Sequence, residues 1–183
     1  MTTAWKSEPI WTGQTVAVMA CGPSLTSALA ESLREHRTIV VNDACKVAPW
    51  ADMLVALDAG RYWTQEMREF AGLRLTGIED DGLDAHYIGH RFERVTLAPG
   101  HQVEIRNSGL AAIRIAGEMG AARILLAGFD PEQPGHFYDD QVDTGEYVGL
   151  AAGLRQITAE LAARGVTVER VAPKPAPKAK KTA

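Results

Sequence analysis

The chain has 183 residues, 46% of them apolar, which suits an α/β core and sets aside the disordered and fibrous classes. The net charge of −4 argues against a body that binds nucleic acid, while leaving a local basic groove open. Cys21 and Cys45 lie outside any CxxC and have no histidine at zinc-knuckle spacing, so reduced thiols in a cytosolic protein are expected.

No signal-peptide pattern and no apolar run of bilayer length are present, so no membrane partner is expected. Residues 1–14 read as an irregular lead-in pinned by Trp5 and Trp11. Thr15 to Leu29 (TVAVMACGPSLTSAL) reads as a strand apolar on both faces, a tight turn, and a helix of about a dozen residues. In the turn, Gly22 permits close approach, Pro23 stops the strand, and Ser24 is placed to cap the helix. RTIVVN (37–42) is a second buried strand, DACKVAPWAD a short helical or looped piece, and MLVALD (53–58) a third strand. Arg61 to Ala71 reads as a helix, with Tyr62, Met67 and Phe70 near one face, and Leu73 to Thr76 as a strand. HYIG and RVTLAP are expected as short strands at the sheet edge, after an acidic turn. A helix is expected over Ser108 to Met119 with Gly120 as its stop, then a strand over Arg123 to Phe129. A polar loop over residues 131–146 leads to an amphipathic helix, Tyr147 to Arg164, and a last strand, VTVERV. The tail, residues 172–183, is rich in Pro, Ala and Lys and is expected to be disordered, so the folded domain is placed at 15–171.

This alternation predicts a single doubly wound, mostly parallel α/β sheet of Rossmann-like type, with helices on both faces. Such sheets bind ligands at the carboxyl ends of their strands. Gly22, Pro23, Ser24, Asn42, Asp43, Asp58, Asn107, Ser108, Gly109 and Asp130 fall at or just beyond those ends. There is no GxxxxGK[ST] and no GxGxxG. Phosphates near Gly22–Ser24 with a ribose near Asn42 and Asp43 is nonetheless sensible geometry, and capping of the next helix is the alternative for those two residues. Asp58 and Asp130 can share a Mg²⁺ with substrate phosphates, or serve as turn residues. Asn107, Ser108 and Gly109 open a helix and either cap it or border a ligand. His136 sits in the long loop as a candidate general base, with Tyr138, Asp139 and Asp140 beside it, or is simply solvated. His86, His90 and His101 receive no role. Lys174, Lys178, Lys180 and Lys181 can make a weak contact with nucleic acid or an acidic partner, or stay solvated.

TVAVMACGPSL, VVND, LVALDAGRYW, NSGLAAIRIAGEMGAARILLAGFD and GHFYDD occur in that order. The ordered set resembles the 6-hydroxymethylpterin diphosphokinase-like Rossmann family, especially its short phage-encoded members. More distantly, the GPSL turn resembles that of bacterial sialyltransferases with a CMP-sugar donor. The first resemblance implies diphosphoryl transfer from a nucleoside triphosphate to a hydroxyl, with Mg²⁺ on Asp58 and Asp130, phosphates bordered by Gly22, Pro23 and Ser24, and Asn42 beside the donor. The second implies a nucleotide-sugar donor and His136 as base. The chain is shorter than both, reads ACGPS where the sialyltransferases have GNGPS, and carries no recognisable pterin pocket. The expectation is a nucleotide-binding transferase of diphosphokinase-like type in a cytoplasm, that of the host if phage-encoded. A glycosyltransferase, or a non-catalytic phage binding or assembly protein on the same fold, is the alternative.

Overall fold

The structure is a computed structural model, and it describes residues 4–58, 60–79, 82–89, 94–98, 101–104, 107–133, 135–138 and 149–172. Asp139, Asp140, His90 and the tail lysines lie outside the described residues. Among the described residues, no helix is long and apolar enough to cross a membrane.

The strands are β1 (Thr15–Met19), β2 (Arg37–Val41), β3 (Met53–Ala56), β4 (Leu73–Thr76), β5 (His86–Tyr87), β6 (Arg94–Ala98), β7 (His101–Glu104), β8 (Arg123–Ala127) and β9 (Thr167–Arg170). The α-helices are α1 (Ser27–Ser32), α2 (Gln65–Arg68), α3 (Ser108–Glu118) and α4 (Leu150–Ala163). Seven strands form one sheet in the order β5-β4-β3-β2-β1-β8-β9, and every pair in it is parallel. This is the expected Rossmann-like α/β architecture.

The sequence of β1 explains its central place. Val16 and Val18 face one core, with Ile39, Ile113 and Ile124; Ala17 and Met19 face the other, with Val40, Leu54 and Leu125. A strand apolar on both sides is stable only between two layers. α3 and α4 cover the first face; α1, a 3-10 turn over Asn42–Lys46, and Trp63, Met67 and Phe70 cover the second. The lead-in is tethered as expected: the Trp11 N–H donates to Met119 O at 2.8 Å, and the Trp5 N–H to Tyr87 O, on edge strand β5, at 2.7 Å.

Three local expectations are corrected. α1 has six residues, not a dozen, and its cap is Thr26, whose Oγ1 accepts the Leu29 N–H at 3.1 Å. Ser24 instead lies in a turn closed by the Leu25 N–H on Gly22 O at 3.0 Å. Residues 61–71 form a 3-10 turn (Gly60–Tyr62) and the one-turn α2 in place of a continuous helix. The Arg68 guanidinium donates to the carbonyls of Gly60 and Trp63, drawing the chain into tight turns. β6 does not join the main sheet; it pairs antiparallel with β7 as a separate hairpin against α4.

α3 sits on β1, β2, β3 and β8 and is the central element of its layer. Its Ile113 has no exposed surface. Ile113→Ala is expected to lose about 2–5 kcal/mol by transfer and cavity terms. Urea unfolding with an unchanged slope checks this, and a loss well under 1 kcal/mol contradicts the packing described.

Candidate functional site

The chain runs from β1 toward β5 on one side of the sheet and returns to β8 and β9 on the other, so the topological switch point lies between β1 and β8. An open cleft of ≈ 630 Å³ lies there, at the carboxyl ends of β1, β2 and β8.

Its floor is the junction of two strand ends. The Ala20 N–H donates to Ala127 O at 2.8 Å and the Gly22 N–H to Gly128 O at 2.9 Å. Gly128 has φ +68°, and a Cβ there would lie 2.2 Å from Ala20 O. A Cβ on Gly22 would lie 2.4 Å from Asp130 Oδ2. Both positions therefore exclude any side chain. Asp130 Oδ2 accepts the Ser24 N–H at 2.8 Å, so a buried carboxylate lies against the turn where phosphates were expected. Asp130 Oδ1 accepts no hydrogen bond among the described residues, and the Arg170 guanidinium is ion-paired with it at 3.6 Å.

Asn42 ends β2 on the next wall. It is the one non-glycine residue among those described with positive φ, at +48°. Its Oδ1 is buried and has no hydrogen-bond partner among the described residues. A left-handed backbone and an unsatisfied buried acceptor each cost stability, the second about 1–3 kcal/mol. Such an acceptor calls for an explanation, a bound group at this position being one.

The start of α3 supplies the opposite wall. Asn107 Oδ1 caps the helix by accepting the Leu110 N–H at 3.0 Å, while its NH₂ group donates to nothing among the described residues. Ser108 Oγ is turned inward and accepts the Leu57 N–H at 3.0 Å, fixing α3 to the end of β3. Gly109 leaves room for the Phe129 ring, which a Cβ would approach to 2.9 Å. Capping thus accounts for Asn107, framework for Ser108 and packing for Gly109, and all three still border the cleft.

His136 closes the rim. The Phe137 N–H donates to Cys21 O at 2.9 Å, laying residues 135–138 across the end of β1. The His136 ring is parallel to that of Tyr138 at 5.1 Å, and Lys46 Nζ lies 5.3 Å from the Tyr138 centroid. The cleft therefore gathers seven of the sites anticipated from sequence: Gly22, Asn42, Asn107, Ser108, Gly109, Asp130 and His136.

Four others do not line it. Pro23 is exposed and Ser24 borders a neighbouring cavity. Asp43 accepts the Lys46 ammonium at 2.8 Å and the Thr64 hydroxyl at 3.2 Å. Asp58 is exposed beyond β3, two strands from the switch point, and only its carbonyl is engaged, by the Trp63 indole N–H at 3.2 Å. Asp58 thus does not share the cleft with Asp130, and no cluster of three His, Cys, Asp or Glu exists among the described residues. A six-residue α1 beginning at Ser27 offers no helix N-terminus to a phosphate at Gly22–Ser24.

Sequence reasoning missed the apolar walls Phe129 and Leu150, and Cys21. The glycine of the AGFD segment, directly after a strand, was the available signal for Phe129. Burial, and then the charge of Asp43, pushes the Cys21 thiol up to about 12; its Sγ–H donates to Val41 O at 3.2 Å. Burial and Asp43 likewise raise Cys45 to about 11. The thiolate is the reactive form, so both are inert near neutrality.

Two outcomes follow. Native protein at pH 8 is expected to resist iodoacetamide at both cysteines and to react fully in denaturant; mass spectrometry reads this, and rapid native labelling of Cys21 contradicts its environment. Asn42→Gly removes the strain and the orphaned acceptor at some entropic cost, for a net gain of about 1 kcal/mol. In a chain of this size that raises Tm by about 2–4 °C. A lowered Tm by calorimetry refutes this account of Asn42.

No protein-family model, curated protein or solved structure matches the chain, which leaves the cleft itself as the ground for a function.

Proposed function

We propose that the switch-point cleft receives a nucleotide and that the protein is a transferase using that nucleotide as donor. The observation that carries this reading is Asn42: a buried acceptor without a partner, held by a strained backbone at the end of β2 inside the cleft. In doubly wound sheets this position meets the nucleoside part of a ligand. Asn107 NH₂, which donates to nothing among the described residues, and the Asp130 carboxylate, paired at Oδ1 with Arg170, add polar groups nearby. The ordered motif resemblance supports the same reading.

Of the two donor classes expected from sequence, the geometry favours a sugar nucleotide over a nucleoside triphosphate. Diphosphoryl transfer needs cations around the terminal phosphates. Among the described residues no Lys or Arg lines the cleft itself, Arg170 stands beyond Asp130 in an adjoining cavity, and the Ser24 N–H is engaged by Asp130. His136 takes the proton of the acceptor hydroxyl as its oxygen bonds to the transferred carbon. The bond from that carbon to the phosphate oxygen breaks, and the nucleotide leaves with the electron pair.

Thermal unfolding against nucleoside triphosphates and CMP- and UDP-sugars, with Mg²⁺ and with EDTA, tests this. A ligand at a hundred times its Kd adds about 2.7 kcal/mol. The expected result is a shift with a sugar nucleotide that survives EDTA, disappears in Asn42→Gly, and persists in His136→Ala while turnover is lost. A shift with a triphosphate and Mg²⁺ alone favours the diphosphokinase class. Binding with no transfer to any acceptor points to the non-catalytic alternative, and no shift with any member of the panel defeats the proposal.

A further inference from the structure

A second cavity, of ≈ 500 Å³, adjoins the cleft and shares Phe129 and Asp130 with it. Its other polar walls are Ser24, from the turn after β1, and Arg170, the last residue of β9. The Ser24 hydroxyl makes no hydrogen bond among the described residues. Arg170 presents a planar fork, and that fork rests on Glu132: Nη1 and Nη2 donate to its two carboxylate oxygens at 3.1 Å each. Glu132 is two-thirds exposed, and Arg170 holds its carboxyl below the ordinary range. An ion pair so open to water contributes little to stability and is readily exchanged. Arg170 therefore lines the cavity with a hydroxyl that is unpaired among the described residues, its guanidinium held by an exposed carboxylate and, at 3.6 Å, by Asp130 Oδ1.

A guanidinium fork binds two oxygens of one anion in parallel, which a point charge does not. We infer that this cavity is an anion subsite in which Arg170 and the Ser24 hydroxyl hold a phosphate-type oxyanion, Glu132 occupying the fork until the anion arrives. The inference rests on the nucleotide reading only for which molecule brings the anion: the donor, through its own phosphate, or the acceptor. The charge of Asp130 opposes an anion here, so binding of free phosphate is weak and depends on the fork. The position also separates the tasks of the two cavities, with uncharged groups met by Asn42 and Asn107 and negative charge met by Arg170.

The test is a titration of the full chain with inorganic phosphate at constant ionic strength, with chloride as control, read by thermal unfolding and backbone amide shifts. Wild type is expected to respond to phosphate and not to chloride. Glu132→Gln releases the fork and is expected to bind at least five-fold tighter, Arg170→Lys several-fold weaker, and Arg170→Gln not at all. Far-UV circular dichroism checks that these surface variants fold. An equal phosphate response in wild type and Arg170→Gln, or no gain in Glu132→Gln, overturns the inference. The source is read by adding a nucleoside monophosphate: competition with phosphate assigns the subsite to the donor, and simultaneous binding to the acceptor; either outcome supports an anion subsite. A phosphate response without any nucleotide response defeats the nucleotide reading and leaves this one standing.

Discussion

At the switch point the ends of β1 and β8 come so close that no side chain fits between them. The Gly22 N–H on Gly128 O, and the packing of Gly128 against Ala20 O, extend the sheet's pairing past the formal strand ends. Asp130 then turns back and locks the loop after β1 through the Ser24 N–H. Three other walls of the cleft are positioned from this junction: β2 through its register with β1, α3 through its packing on both strands, and the His136 segment through Cys21 O. Two glycines and one carboxylate fix the geometry more firmly than any residue facing the open space.

Against that rigid floor, Asn42 is the place where local preference and tertiary structure disagree. Its neighbours on β2 are packed on both faces, and the next residues pair with one another: Asp43 with Lys46, Cys45 in the core. A chain selected for stability alone would satisfy the Asn42 amide or replace it. Proteins keep unsatisfied, strained residues where the surroundings over-determine them and a ligand completes them.

Much of this was legible because a parallel sheet brings all of its carboxyl ends to one edge. Once β1, β2 and β8 are read from their two-sided apolar runs, Gly22, Asn42 and Asp130 must share that edge. What remained hidden was strand order and long-range pairing. Asp58 ends a strand as convincingly as Asn42 does, yet β3 lies too far from the switch point, and nothing in MLVALD reports this. Ser24 and Thr26 are equally good caps by type; a carboxylate 106 residues away claims the Ser24 N–H and leaves Thr26 to start the helix. RVTLAP has the pattern of an edge strand, but its partner HQVE is too polar to be read as one, so the separate hairpin was not foreseen. Arg170 closes an alternating edge segment and resembles any solvated cation until Glu132 and Ser24 are placed beside it.

The pairing of β1 has a consequence for how the protein is made. One flank of this strand meets Arg37–Val40, which follows within one crossover, but the other meets Arg123–Ala127. While the ribosome is still translating the intervening residues, this interior strand carries a bare row of amide and carbonyl groups, the kind of edge that recruits other chains. The seam between β1 and β8, which forms the floor of the cleft, therefore closes only once Arg123–Ala127 has been made, and the pocket cannot exist before the second half of the chain has docked.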